Sequence, residues 1–425
     1  MVLKKRKIWI LMFLFLLFFN TACSVEKNTE EKNEVSIGVL VPLNGAQTQA
    51  GKEVTQLLEL IEDVVNRPSD LSLPFHEGIG LPNLNGVKIR FVIGDSSTPD
   101  IAMVEAERLI TEENVIGLTG LLSSSSTKTI MVPAERYEVV LLGEGTSETL
   151  TDAGYEYFGR TYPGDDTFIE DTFSYLREIS NASDKPINTV ALVSEDSEFG
   201  ANIALIERKW LNEYDFELVE DISYSALASN VTSEVLRIRQ AKPDAVIMSS
   251  YIADALLFMS TFREQDYFPS VLFGQRGGFA SSDFVKNLGE DANYVFSTAR
   301  WNTDMDNQAA QDLAEAFQEY SDGTELIGDV MAVGWNAYLL AIAANQAGST
   351  ESDAIRAEMR KGLDVAKEED PSGLLGYQYD ETGQNQLASA IIVQVQDMEM
   401  VTVYPEALSM QKEIYPSPNW RERKR

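Results

Sequence analysis

The sequence predicts an α/β protein of two lobes, each built on a parallel β-sheet with helices on its faces. Three observations carry that prediction. Short runs rich in Val, Ile and Leu alternate with longer segments of helical periodicity from residue 35 onward, the pattern of strands joined by crossover helices. The alternation comes in two series, residues 35–142 and about 164–273, and right-handed crossovers turn each series into one parallel sheet. The chain has 425 residues, 44% hydrophobic and 24% charged. That is enough for more than one buried core, and it is not the composition of a disordered or mainly membrane-embedded chain.

The first series opens with VSIGVLV at 35–41, a buried strand. Residues 49–65 follow as a helix, with Val54, Leu57, Leu58, Ile61 and Val65 on one face. A Pro/Gly-rich insertion spans 67–86. Strand 87–93, helix 101–111, strand 115–118, helix 123–137 and strand 139–142 complete the series. The second series reads as helix 167–179, strand 189–193, helix 203–210, strand 216–222, helix 231–241, strand 245–248, helix 253–262 and strand 270–273. Another strand lies at 294–297, longer helices follow, notably 329–347, and strands return at 387–395 and 400–404. Asp380-Glu381-Thr382-Gly383 has turn chemistry. No repeat of solenoid length is present.

Charge and rare residues exclude several functions. Lys and Arg number 34 against 67 Asp and Glu, a net charge of −33. No basic stripe interleaves with aromatics, so nucleic acid is excluded as a partner. One cysteine and one histidine allow no intrachain disulfide and no Cys/His zinc site. A histidine base would have to be His76, which reads as a solvated loop residue in Leu73-Pro74-Phe75-His76-Glu77-Gly78. No cofactor is expected. At the amino terminus, Lys4, Lys5, Arg6 and Lys7 precede a twelve-residue apolar run, too short to span a bilayer, which takes about 20 residues. Residues 1–22 therefore read as a secretory signal peptide. Thr21-Ala22-Cys23 resembles the end of a bacterial lipoprotein signal, although Asn20 stands where an apolar residue is usual. The resemblance implies acylation of Cys23, with 23–34 as a lipid-anchored linker.

Two motifs bear on ligand chemistry. Gly45 to Glu53 follows a strand and opens a helix, but five residues separate the glycines and Glu53 stands where a P-loop has Ser or Thr. Nucleotide binding is rejected there. Ser123-Ser124-Ser125-Ser126-Thr127 follows strand 115–118, and Gly143-Glu144-Gly145-Thr146-Ser147 follows strand 139–142. Each loop alone is read as a helix cap. Together, at the carboxyl ends of neighbouring strands, they are also read as the site of one small carboxylate.

Further marks are Ile37 to Gly45, Gly120 to Thr127, Phe158-Gly159-Arg160-Thr161, Ser194-Glu195-Asp196 before Phe199-Gly200, Lys242 to Val246 and Tyr377 to Gly383. In this order and spacing the chain, from about residue 35 to 404, resembles the type I periplasmic binding proteins. The likeness is to the leucine/isoleucine/valine-binding branch that feeds ABC importers. The resemblance implies two hinge-linked, Rossmann-like lobes with a ligand in the cleft between them. Lobe 1 would comprise 35–161 and 297–374, lobe 2 would comprise 162–296 and 375–412, and 413–425 would form a tail. It implies that Ser124 binds a ligand carboxylate, that the Glu144 carbonyl accepts from an ammonium, and that Thr146 contacts both ends of an amino-acid head group. Phe199 and Tyr251 would cover the ligand from the second lobe. The family's carboxylate partner of the ammonium falls at Arg276, and its first-lobe aromatic falls at Ala50. Arg276 then either meets an anionic or carbonyl group of the ligand, or pairs with an acid such as Glu144 or Asp254 and leaves the pocket.

The function expected is that of an extracytoplasmic, membrane-anchored solute-binding protein. It would bind an amino acid or related small carboxylate and deliver it to ABC permease and ATPase subunits. A sensory protein of the same fold is the alternative role, and a hydrolase is disfavoured.

Overall fold

The computed structural model describes residues 34–45, 47–120 and 123–423. The signal peptide, Cys23 and nearly all of the linker lie outside the described residues. Two sheets organise the chain. The first uses β1 (Glu34–Val41), β2 (Lys88–Asp95), β3 (Gly117–Gly120), β4 (Val140–Gly143) and the short β5 (Phe158–Gly159), in the order β2-β1-β3-β4-β5. Between them run α1 (Thr48–Asn66), α2 (Pro99–Thr111), α3 (Ser124–Arg136) and α4 (Glu148–Thr151). Pairings β1–β3, β3–β4 and β4–β5 are parallel.

The chain then enters the second sheet through α5 (Asp165–Asn181). There follow β6 (Thr189–Glu195), α6 (Glu198–Glu213), β7 (Glu217–Tyr224), α7 (Thr232–Ala241), β8 (Ala245–Ser249), α8 (Ile252–Glu264), β9 (Val271–Gly274), α9 (Ser282–Leu288) and β10 (Val295–Ala299). Three helices come next: α10 (Gln308–Tyr320), α11 (Gly328–Ala347) and α12 (Ser352–Lys361). The chain closes with β11 (Ile391–Gln396) and β12 (Glu399–Tyr404), giving the order β12-β11-β10-β9-β8-β6-β7. This sheet is parallel from β7 to β10, and β11 and β12 join it antiparallel. It is therefore mixed at one edge, because β11 and β12 form a hairpin that needs no crossover.

Each sheet is buried on both faces, and the period of two divides its residues between them. On β1, Ile37, Val39 and Val41 face the core formed with α1 and α11, while Leu40 faces the core formed with α2 and α3. On β8, Val246 and Met248 face one side of the second sheet, and Ala245 and Ile247 the other. Helix α11 is buried on almost every side from Val330 to Asn345, which is why its sequence is apolar rather than amphipathic. It packs on α1 and β3, so the chain returns to the first sheet after building most of the second. The insertion at 67–86 is tied to the same helix: Tyr338 donates to the Pro74 carbonyl, and Phe75 meets the Tyr338 ring edge-on. No helix among the described residues is long and apolar enough to cross a membrane.

Candidate ligand-binding site

Both polar loops leave strands of the first sheet at their carboxyl ends, where ligands bind in open α/β sheets. Ser123 is the N-cap of α3, its Oγ accepting from the Ser126 amide at 3.3 Å. That leaves Ser124, in the first turn, to point elsewhere: its Oγ accepts from the Ser147 amide at 3.3 Å, so the two loops are joined. Their approach is close. A Cβ on Gly145 would lie 2.9 Å from Ser124 Cα and 2.5 Å from Leu150 Cδ1. Only glycine fits there. At the rejected P-loop segment, Gly51 lets the start of α1 pass the end of β1, since a Cβ would meet the Pro42 carbonyl oxygen at 2.1 Å. Ala50 is half-buried in the same turn.

Arg160, 2% exposed, holds the second loop from behind. Its Nη1 donates to the Thr146 and Ser147 carbonyls, both at 2.9 Å. Its Nη2 donates to Glu148 at 2.8 Å and its Nε to Gln384 at 2.5 Å. Four acceptors on one planar guanidinium fix the loop in a way a lysine could not.

From the second sheet come Phe199, at the start of α6, and Tyr251, the residue before α8; their ring centroids are 5.1 Å apart. The buried Glu195 carboxylate sets both segments, accepting from the Tyr251 amide at 2.9 Å and from Ser197 Oγ at 2.5 Å. Arg276 follows β9 with φ +53°, a left-handed conformation uncommon for residues other than glycine. Its Nη2 donates to Asp165 Oδ1 at 2.5 Å and reaches Thr146 Oγ1, on the loop of the first sheet, at 3.4 Å. The guanidinium lies over the Phe168 ring at 4.3 Å. Burial lowers its pKa, opposed by Asp165.

The acid that pairs with Arg276 is thus Asp165, neither of the two expected. Asp254 accepts from the Leu227 and Ala228 amides at 2.8 and 3.0 Å. Glu144 is engaged by Arg300, just beyond β10, which donates to its carboxylate at 2.9 Å and to its carbonyl at 2.8 Å. Asn336 also donates to the Glu144 carboxylate. Burial pushes the pKa of that carboxyl up to about 7, with Arg300 pulling the other way. Burial also lowers the pKa of Arg300, but Asp329 and Glu144 outweigh it and the net shift is upward.

Asp165, Arg300 and the supporting Asn202, which donates to Asp165 Oδ2 at 2.8 Å, were not among the residues expected from sequence. Arg300 carries a readable signal, since it directly follows a strand of the second sheet. Asp165 carries only Gly164 before it and a helix after it.

His76 sits apart from these groups. Its Nδ1 is 2.9 Å from the Leu73 carbonyl and 3.8 Å from Glu369, with no nucleophile in its hydrogen bonds. Among the described residues no group of His, Cys, Asp and Glu could hold a metal ion.

Two α/β sheets with polar loops converging from both define a two-lobed binding protein. A family model described as periplasmic binding protein matches residues 34–399, and the chain belongs to that family. The fold family is extracytoplasmic and is one of substrate-binding proteins rather than enzymes. A Leu/Ile/Val-binding protein homolog of Brucella suis is 26% identical over 386 residues, covering 89% of this chain and 93% of its own. The branched-chain amino acid transporter substrate-binding protein LivJ of Streptococcus pneumoniae, solved with isoleucine, superposes with a TM-score of 0.71 at 19% identity, covering 90% of this chain and all of its own. A solute-binding protein of an ABC transporter from Rhodopseudomonas palustris, solved with 3,4-dihydroxybenzoic acid, superposes at 0.67 and 18% identity, covering 92% of this chain and all of its own.

Proposed function

We propose that this chain is the solute-binding protein of an ABC importer and holds a small carboxylate, an amino acid or a related acid, between two closing lobes. One observation carries the reading: Thr146, from the first sheet, and Arg276, from the second, meet within hydrogen-bond range. A ligand seated there touches both lobes, and only such a ligand can favour closure. The ligand's carboxylate is assigned to Ser124 and to the free amides at the start of α3. Phe199 and Tyr251 form its lid, and the Glu144–Ser147 loop its floor. Relatives of this fold hold isoleucine or 3,4-dihydroxybenzoic acid, ligands that share a carboxylate. The partners are permease and ATPase subunits, and no covalent chemistry is needed.

A thermal-shift screen of small carboxylates against the purified protein tests the reading. A ligand at 100 times its Kd adds about 2.7 kcal/mol, a shift that is easily read. In the Ser124→Ala and Thr146→Ala variants, affinity is expected to fall about tenfold or more, while melting of the empty protein moves little. Equal loss of stability and affinity would reduce both residues to structural roles, as would unchanged affinity. The ligand should be recovered chemically unchanged after incubation; turnover would make the protein an enzyme.

Membrane attachment is assigned to an acyl group on Cys23. Cys23→Ala is expected to move the protein from the membrane fraction to the soluble fraction or the medium. Processed Cys23→Ala protein that stays on the membrane would place the anchor elsewhere.

A further inference from the structure

The resemblance supplies three acceptors for an amino acid's ammonium: the carbonyl at 144, the hydroxyl at 146 and a carboxylate at 276. In this chain each position is a cation or is turned toward one. Position 276 is an arginine. The Glu144 carbonyl accepts from Arg300 at 2.8 Å, and Thr146 Oγ1 accepts from Arg276 at 3.4 Å. The Thr146 carbonyl is also taken, by Arg160 and by the Asp165 amide, each at 2.9 Å. Asp165 could in principle replace the missing acid, but its two oxygens already accept from Arg276 and Asn202, at 2.5 and 2.8 Å. The Nε atoms of both Arg276 and Arg300 are buried and have no hydrogen-bond partner. The Arg276 side chain is 14% exposed and that of Arg300 is 9% exposed. Against these two unspent guanidinium donors stands one buried acceptor without a partner, Asn336 Oδ1, on the side chain whose amide donates to Glu144. Asp165, Glu144 and Asp329 balance the two guanidinium charges but are already paired with them, so an ammonium placed there would have to displace an arginine to find an acid, and a buried donor left unmatched is costly.

We propose that the ligand is an organic acid bearing an oxygen acceptor, a keto oxygen, hydroxyl or second carboxylate, where an α-amino acid bears its ammonium. The inference rests on the cleft-binding reading above and goes beyond it by excluding the amino group. Arg276 is then the specificity determinant. Asp165 and Asn202 position it, and the ligand oxygen takes the place of part of its contact with Thr146.

Matched pairs test this: leucine against 4-methyl-2-oxopentanoate, phenylalanine against phenylpyruvate, glutamate against 2-oxoglutarate. Each is titrated calorimetrically into the full-length protein. In parallel, small molecules carried through purification are released by denaturation and identified by mass spectrometry. The expected result is that the oxo member of a pair binds at least tenfold more tightly than the amino member, or that the released compound is an amine-free acid. Arg276→Gln should lower affinity for the oxo acid more than tenfold. Asp165→Asn with Arg276→Glu, which avoids placing two acids side by side, should shift the preference toward the amine. An amino acid that binds as well as its oxo partner, or a released primary amine, overturns the proposal and leaves the binding function standing. If no probe binds and no compound is released, the binding reading falls and this inference with it.

Discussion

Arg160→Met is expected to cost about 3 kcal/mol of stability and to abolish ligand binding. The side chain is almost wholly buried and donates to Thr146, Ser147, Glu148 and Gln384. Methionine keeps much of the volume and removes every donor. Breaking a buried ion pair from one side costs about 3–5 kcal/mol. Glu148 keeps 35% of its side chain exposed and can be rehydrated, so the lower end of that range applies. The binding loss follows separately. Without Arg160 the two carbonyls lose their donor, and the loop that carries Thr146 no longer holds its position against Ser124. Denaturant unfolding and calorimetry read the two effects. Glu148→Gln serves as the control: it keeps an acceptor for Arg160 and gives up the one the Asp166 amide uses at 3.0 Å, so its cost should be about 1–2 kcal/mol. A Met variant that binds normally would show that the loop is set by its own glycines and by the Ser124 contact alone.

Glu207→Gln is expected to make the protein less sensitive to pH between about 4.5 and 8, and more stable than the wild type above pH 8. Glu207 lies on α6 with no exposed surface. One of its oxygens accepts from Ser249 at 3.5 Å, and the other has no partner. Burial pushes its pKa up to about 8, with Gln275, Arg208 and Ser249 pulling it down and Asp221 raising it. A carboxyl whose folded pKa lies above its unfolded value binds its proton more tightly in the folded state. Its contribution is fully present below the unfolded pKa, near 4.5, and is lost as pH rises toward 8. At about 1.4 kcal/mol per unit the loss is on the order of 5 kcal/mol. The amide cannot ionise and escapes it. Parallel pH profiles of the wild type and the variant would refute the assignment. Glu144, with a pKa near 7, adds a loss of the same sign over a narrower window, so the residual slope in the variant should flatten near pH 7.

The sequence was readable wherever periodicity and burial coincide. Strands on β1, β4, β6 and β8 carry Val, Ile and Leu runs because both faces of each sheet are covered, and their alternation with helices fixes parallel crossovers. The two polar loops were readable for the same reason: strand ends and helix starts are where backbone donors are left over. Strand 387–395 was read four residues too early, since β11 begins at Ile391. Leu387 is apolar but lies in the loop that Asn385 ties to Thr161 and Gly376.

The amino-acid sequence by itself determined the α/β class, the two series of elements and the places where loops emerge at strand ends. What only the tertiary structure decided is which charges meet. Arg276 finds Asp165 across 111 residues, and Arg300 finds Glu144 across 156. Local periodicity reports which face of an element is buried, but not which distant element is packed against it. Paired charges depend on that second fact, because one register shift or one helix rotation changes every partner. The meeting of Arg276 with Asp165 and Thr146, and of Arg300 with Glu144, therefore emerged only when the loops of both sheets were brought together.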